Sequence, residues 1–107
     1  MFTFIELPTF ASVREKYLDD EELADLQAFL VRQPEAGDLI PGSGGCRKLR
    51  WSTVGRGKQG GIRVIYFLRL ADGGIVLVTL YAKNVRSTIE PRLLKRLREV
   101  FENGQIE

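Results

Sequence analysis

The sequence predicts an α+β domain on a mostly antiparallel sheet of about four strands, with two helices near its N-terminus and one at its C-terminus. Three observations carry this expectation. Two long apolar runs, Ile62 to Leu70 and Ile75 to Lys83, flank Ala71-Asp-Gly-Gly74, and an Asp-Gly pair between such runs signals a tight hairpin. Helical spacing of apolar residues occurs in two places, at Leu23, Leu26 and Leu30 and at Leu93, Leu94, Leu97 and Phe101. The length of 107 residues suits one domain, 1–107, large enough to bury a core without disulfide or metal staples.

Each element has its own signal. Phe2 to Leu7 is aromatic and branched and stops at Pro8, as a short strand would. Ser12-Val-Arg-Glu15 has capping-box spacing, which predicts a brief helix running through Tyr17. For the longer helix that follows, Asp19 or Asp20 can cap the free N–H groups, acids crowd the first turn, and Pro34 ends the run. Residues 35–45, rich in glycine and containing Pro41, read as loop. Cys46 to Ser52 alternates like a strand, with Leu49 and Trp51 on one face and Lys48 and Arg50 on the other. The connection from Thr53 to Gly61 holds four glycines with Arg56 and Lys58, so its backbone can approach a phosphate closely. Beyond the hairpin, Ser87-Thr-Ile-Glu90 repeats the capping-box spacing ahead of the last helix.

Charge is distributed unevenly. Residues 1–44 carry three basic side chains against nine acidic ones, whereas residues 45–98 carry thirteen basic against two acidic, Asp72 and Glu90. No acid occurs between Asp38 and Asp72. A single-sign stretch of that length attracts polyanions, and phosphate backbones are the usual target; the bland alternative is a solvated face.

Composition also excludes chemistry. The chain has no histidine, the usual acid or base near neutral pH, and a single cysteine, Cys46, so no zinc site and no internal disulfide can form. The lone thiol, the lack of a membrane-length apolar run and the lack of a signal-peptide start lead to the expectation of a cytoplasmic protein. The glycine-lysine loop departs from a nucleotide-binding P-loop, because Ser52 and Gln59 stand where glycine and a hydroxyl residue are needed and a strand follows. Two-metal phosphoryl chemistry wants clustered carboxylates, which the basic block lacks.

What remains is metal-free chemistry at phosphate. RNA permits it, since its own 2′-OH can attack the neighbouring phosphate if a protein positions the strand, stabilises the added negative charge and assists proton transfer. Arginines suit the second task. A lysine crowded by like charge gives up its proton more readily, which makes Lys48 or Lys58 a candidate for the third, and Tyr81 could hold a proton or stack a base. Tyr66 and Tyr81 lie among apolar residues and suit core positions equally well, and Trp51, on the face of Leu49, suits the core better than a base-stacking role. Lys95 with Glu99 and Arg98 with Glu102 look like helix ion pairs and are left out of the site.

Three blocks, Gly44-Gly-Cys-Arg-Lys-Leu-Arg-Trp51, Gly55-Arg-Gly-Lys-Gln-Gly-Gly-Ile-Arg-Val-Ile-Tyr66 and Leu80-Tyr-Ala-Lys-Asn84, resemble RelE/HigB-type toxins of bacterial type II toxin–antitoxin systems. The resemblance extends over most of the chain and is strongest from Gly42 to Asn84. It implies a RelE-like, microbial-ribonuclease-like fold and a ribosome-dependent mRNA endonuclease that inhibits translation without a metal or other cofactor. Carried onto this chain, the resemblance implies catalytic roles for Lys48, Arg50, Arg63 and Lys83, with Lys58 of the glycine-rich loop in catalytic support and Arg56 in RNA contact; Tyr81 joins the catalytic candidates from its place beside Lys83, and Arg47 and Arg86 of the basic block join the candidate RNA contacts. The implied partners are the ribosome with its mRNA and a cognate antitoxin of helix-turn-helix type; operator DNA is reached only through the antitoxin complex, and no membrane is involved. One departure stands out: RelE members carry a tyrosine near the start of the final helix, where this chain has Glu90. The rival readings are a non-catalytic nucleic-acid-binding module and an inactive toxin relic that keeps only antitoxin binding.

Overall fold

The computed structural model describes residues 3–52, 61–69, 71–84 and 89–104. Among them the strands are β1 (Thr3–Glu6), β2 (Asp38–Leu39), β3 (Arg47–Trp51), β4 (Ile62–Arg69) and β5 (Gly74–Ala82), and the helices are α1 (Pro8–Ala11), α2 (Arg14–Tyr17), α3 (Asp20–Arg32) and α4 (Pro91–Glu102). The strands form one sheet in the order β1-β5-β4-β3-β2. Only β1 runs parallel to its neighbour, so the sheet is mostly antiparallel, as the sequence predicts. None of the described helices is long and apolar enough to cross a membrane.

The hairpin forms where the Asp-Gly pair places it. Gly73 takes a φ of 72°, which costs glycine little, and the Asp72 carboxylate accepts the Gly74 N–H at 3.0 Å. Strands β4 and β5 are buried on both faces, because helices cover each side of the sheet. On one side Phe10, Tyr17, Leu18, Leu26 and Leu30 of the N-terminal region pack against Leu49, Ile62, Val64, Tyr66, Ile75 and Leu77. On the other side Leu94 and Phe101 of α4 pack against Ile65, Phe67, Val76 and Val78.

Four details differ from expectation, each for a local reason. Pro8 opens α1 instead of merely ending the first strand, since its fixed φ suits a first helical position. Ser12 is then the C-cap of α1, and α2 starts after Val13 with no side-chain cap. There are therefore three helices before β2, and the capping box appears at α3, where Asp19 accepts from the Glu22 N–H at 2.7 Å and Glu22 accepts from the Asp19 N–H at 2.9 Å. The expected loop at 35–45 contains a fifth strand, β2, whose two residues pair with Arg47 and Lys48. Helix α4 begins at Pro91 with Glu90 as N-cap and no side-chain cap bond; Ser87 lies outside the described residues.

Strand β2 is held in place from the sheet. The buried Tyr66 hydroxyl accepts the Gly37 N–H at 2.9 Å and donates to the Pro34 carbonyl at 2.8 Å, and Arg47 donates to the carbonyls of Glu35 and Gly37. Gly37 has no room for more, since an added Cβ would lie 2.9 Å from the Tyr66 ring. On the other side of the sheet Arg98 fixes α4. It donates to the carbonyls of Gly44 and Leu68 and lies over the Phe67 ring at 4.5 Å.

Candidate functional site

Alternation along β3 separates its cations by face. Arg47, Leu49 and Trp51 point toward α1–α3, and Lys48 and Arg50 point the other way, toward the side that carries α4. Arg63 on β4 stands directly opposite Arg50, and Tyr81 on β5 stands directly opposite Arg63. Three neighbouring strands thus contribute one row, Arg50-Arg63-Tyr81. The adjacent row on the same face is Lys48-Ile65-Thr79.

Like charges directly opposite each other weaken a sheet, so the Arg50–Arg63 pair is not there to hold the strands together. Arg50 is exposed and Lys48 half-buried, and neither side chain makes a hydrogen bond or ion pair among the described residues. The Arg63 guanidinium is half-buried and donates to the Ile62 carbonyl at 3.4 Å. Tyr81 is only 6% exposed and belongs to the apolar cluster under α4, so its ring is core while its place in the row is beside Arg63. Lys83 lies in the turn just past β5 and is exposed; its N–H donates to the Gly61 carbonyl at 3.4 Å, one step beyond the Ile62–Ala82 pair.

On this face Arg50 and Lys83 are exposed and Lys48, Arg63 and Thr79 half-buried, while Ile65 and Tyr81 are buried in the cluster under α4. Pro91 and Lys95 approach the turn at Gly42 and Gly44, Arg98 reaches Gly44 and Leu68, and Phe101 packs on Phe67 at 5.8 Å. These contacts draw the helix toward the 42–46 turn and the far half of β4, away from Arg63. A row of guanidinium groups beside a phenol can bind a phosphate linkage through charge-assisted hydrogen bonds and stabilise charge that develops on it.

The structure brings Lys48, Arg50, Arg63 and Tyr81 onto one face, with Lys83 at its border. Arg47 is placed apart from them. It stands on the opposite face, its side chain 17% exposed, donating to two carbonyls and paired with Glu35 at 3.7 Å. It shares the parity of Leu49 and Trp51, which is why it turns inward. Lys58, Arg56 and Arg86 lie outside the described residues. Trp51 packs on Phe29 at 5.3 Å, in the core. Thr79 was absent from the sequence-based set, because apolar residues surround it along β5 and alternation cannot mark the faces of that strand.

Burial pushes the Tyr66 hydroxyl up from its ordinary value, against the opposing pull of the Gly37 hydrogen bond and Arg47, so it stays a neutral donor and acceptor. Burial likewise pushes the Cys46 thiol up, against Arg98 and the Ser43 hydrogen bond. Neither group belongs to the basic row.

No family model matches the chain. Among solved structures it is similar to a free-state double arginine-to-alanine variant of the E. coli toxin RelE, at 14% sequence identity and a TM-score of 0.59. The match covers 89% of this chain and 94% of that one. The fold is RelE-like. The five-stranded sheet and its helices follow the RelE arrangement as the sequence resemblance implies, and at this identity the likeness speaks for the fold alone.

Proposed function

We propose that this RelE-like chain is an endoribonuclease toxin that cuts mRNA on the ribosome, halts translation, and is neutralised by a cognate antitoxin. One observation carries the reading: Arg50, Arg63 and Tyr81 occupy a single cross-strand row with Lys48 and Lys83 beside it, on a face of the sheet where like charges meet at the expense of stability. In the proposed reaction the RNA 2′-OH loses its proton and attacks the adjacent phosphorus. The bond to the 5′ oxygen breaks, and that oxygen takes up a proton as it leaves. Arg50 and Arg63 stabilise the charge added to the phosphoryl oxygens. Proton transfer falls to Lys48, Tyr81 or Lys83, and the glycine-rich connection with Arg56 and Lys58 adds RNA contacts. Histidine is not needed for this chemistry, because the nucleophile comes from the substrate.

The test is expression of the full chain without a partner. Growth should arrest, ribosome-bound message should be cut, and Arg63→Ala should relieve both while the purified variant keeps its melting behaviour. A harmless unaltered chain would refute the toxin reading. A second reading, a binding module without catalysis, is favoured by Glu90, an acid paired with Arg92 at 3.1 Å where the resemblance implies a proton-transferring tyrosine. It expects salt-sensitive RNA binding with message left intact.

A further inference from the structure

Strand β5 has one residue more than its partner strand needs. Ile65 pairs with Thr79 while Tyr66 pairs with Leu77, so Val78 is the extra residue of a β-bulge. The bulge reverses which residues face which layer. Before it, Ile75 and Leu77 pack toward α1–α3; after it, Leu80 and Ala82 do so, and Tyr81 turns to the α4 side. Had the pairing of Tyr66 with Leu77 continued without a break, Arg63 would stand opposite Leu80, and Tyr81 would point into the helical core. The bulge is also held from outside the sheet, since the Thr9 hydroxyl of α1 donates to the Val78 carbonyl.

The same irregularity exposes a second group. Thr79 stands opposite Ile65 on the basic face, half-buried, in the row of Lys48 and about 7 Å along the strand from Tyr81. Lysine and arginine only donate hydrogen bonds, whereas a threonine hydroxyl also accepts. Among those cations Thr79 is therefore suited to accept from a ribose hydroxyl while donating to a phosphate oxygen. We propose that the Val78–Thr79 bulge is a positioning element of the RNA site, which sets Tyr81 beside Arg63 and presents the Thr79 hydroxyl as a further contact to the ribose-phosphate backbone. This rests on the endoribonuclease reading.

The experiment measures kcat and KM for cleavage of ribosome-bound message by the full chain and by three variants. Thr79→Val keeps the branched shape and removes the hydroxyl; it should raise KM about tenfold, the scale of one lost hydrogen bond, with kcat held within about twofold. Thr79→Ser restores the hydroxyl and should return KM to within about twofold of the unaltered chain. Thr9→Val, remote from substrate, should lower kcat by loosening the bulge that aligns Tyr81, and Thr9→Ser should restore it. A Thr79→Val enzyme with unchanged KM, or a Thr79→Ser enzyme impaired as much as Thr79→Val, would overturn the inference while leaving the endoribonuclease reading intact. An unaltered chain that leaves ribosome-bound message whole would overturn both.

Discussion

Replacing Arg50 by glutamine should make the protein more stable and less active at once. Arg50 is exposed, its side chain makes no hydrogen bond or ion pair among the described residues, and it lies directly opposite Arg63 with Lys48 two residues away on the same face. Two unit charges about 7 Å apart in water repel by about 0.6 kcal/mol, so relief from both neighbours amounts to about 1 kcal/mol at low salt. In 0.1 M salt the Debye length is about 10 Å and the gain roughly halves; at 1 M it is about 3 Å and the gain nearly vanishes. Glutamine keeps much of the side-chain length and little changes in packing at an exposed strand position.

The assay is urea denaturation of both proteins at about 10 mM, 100 mM and 1 M NaCl, conditions that span the screening range. The expected result is a higher midpoint for Arg50→Gln at low salt that converges on the unaltered protein at high salt, with the same slope. Removing a donor aimed at transition-state charge costs on the order of 100-fold in rate, so cleavage of ribosome-bound message should fall by about that factor. A variant that is destabilised at every salt concentration would refute the reasoning, because it would mean that Arg50 makes a structural contact. A stability gain independent of salt would refute the electrostatic cause.

Two further outcomes test the frame that holds the site. Tyr66→Phe removes two buried hydrogen bonds, to Gly37 and Pro34, and should cost about 2–3 kcal/mol in urea unfolding while leaving the basic row unaltered. Cys46 gives a pH signature: in the unfolded chain its thiol ionises near its ordinary value of 9.0, whereas burial raises it in the fold. Unfolding therefore releases a proton above about pH 9, stability falls as pH rises through the folded value, and Cys46→Ala should make that fall shallower, as read from melts across pH 8 to 10. Tyr66 contributes with the same sign at higher pH, because burial raises it too.

The parts of the fold legible in the sequence are those fixed by local chemistry. An Asp-Gly turn between branched runs gives β4 and β5, and a capping carboxylate, Asp19, four places before the leucine-spaced segment that starts at Leu23 gives α3. Strand β2 was not legible because its two residues have no pattern of their own; the Tyr66 hydroxyl and the Arg47 guanidinium, distant in sequence, fix the loop that leads into it. Strand period puts Tyr81 and Lys83 on one face, but the layer that this face meets was hidden for a different reason. Alternation shows a strand's faces only when one of them is polar, and Ile75 to Ala82 is covered by helices on both. The candidate site was more legible than its boundaries. Parity along β3 already separated Arg47 from Lys48 and Arg50, but a count of charge by sequence block ignores parity and so gathered all three.

That separation bears on how much of the basic block can meet RNA. Between Asp38 and Asp72 there is no carboxylate, so a cation there that serves the fold must reach a backbone carbonyl or an acid from elsewhere in the chain. Arg47 and Arg98 donate to backbone carbonyls in the glycine-containing turns, at Gly37 and Gly44, and pair with Glu35 and Glu102 outside the block, while Arg69 and Arg92 use the block's two acids, Asp72 and Glu90. Four of the thirteen cations are thereby committed to structure, and Lys95 and Arg96 stand exposed on α4 instead of on the sheet face. Lys48, Arg50, Arg63 and Lys83 remain there, joined in sequence by Arg56, Lys58 and Arg86. Each phosphate neutralised on a single strand contributes a slope of about −0.7 to log K against log salt, so four to seven contacts give about −3 to −5, whereas all thirteen would give about −9. Titration of a labelled single-stranded RNA at several salt concentrations measures the slope directly. Arg47→Gln should lower stability and leave it unchanged, and Arg50→Gln should reduce its magnitude by about 0.7. A slope near −9, or one that moves equally for both variants, would mean that the two faces of β3 do not divide the work of folding and binding between them.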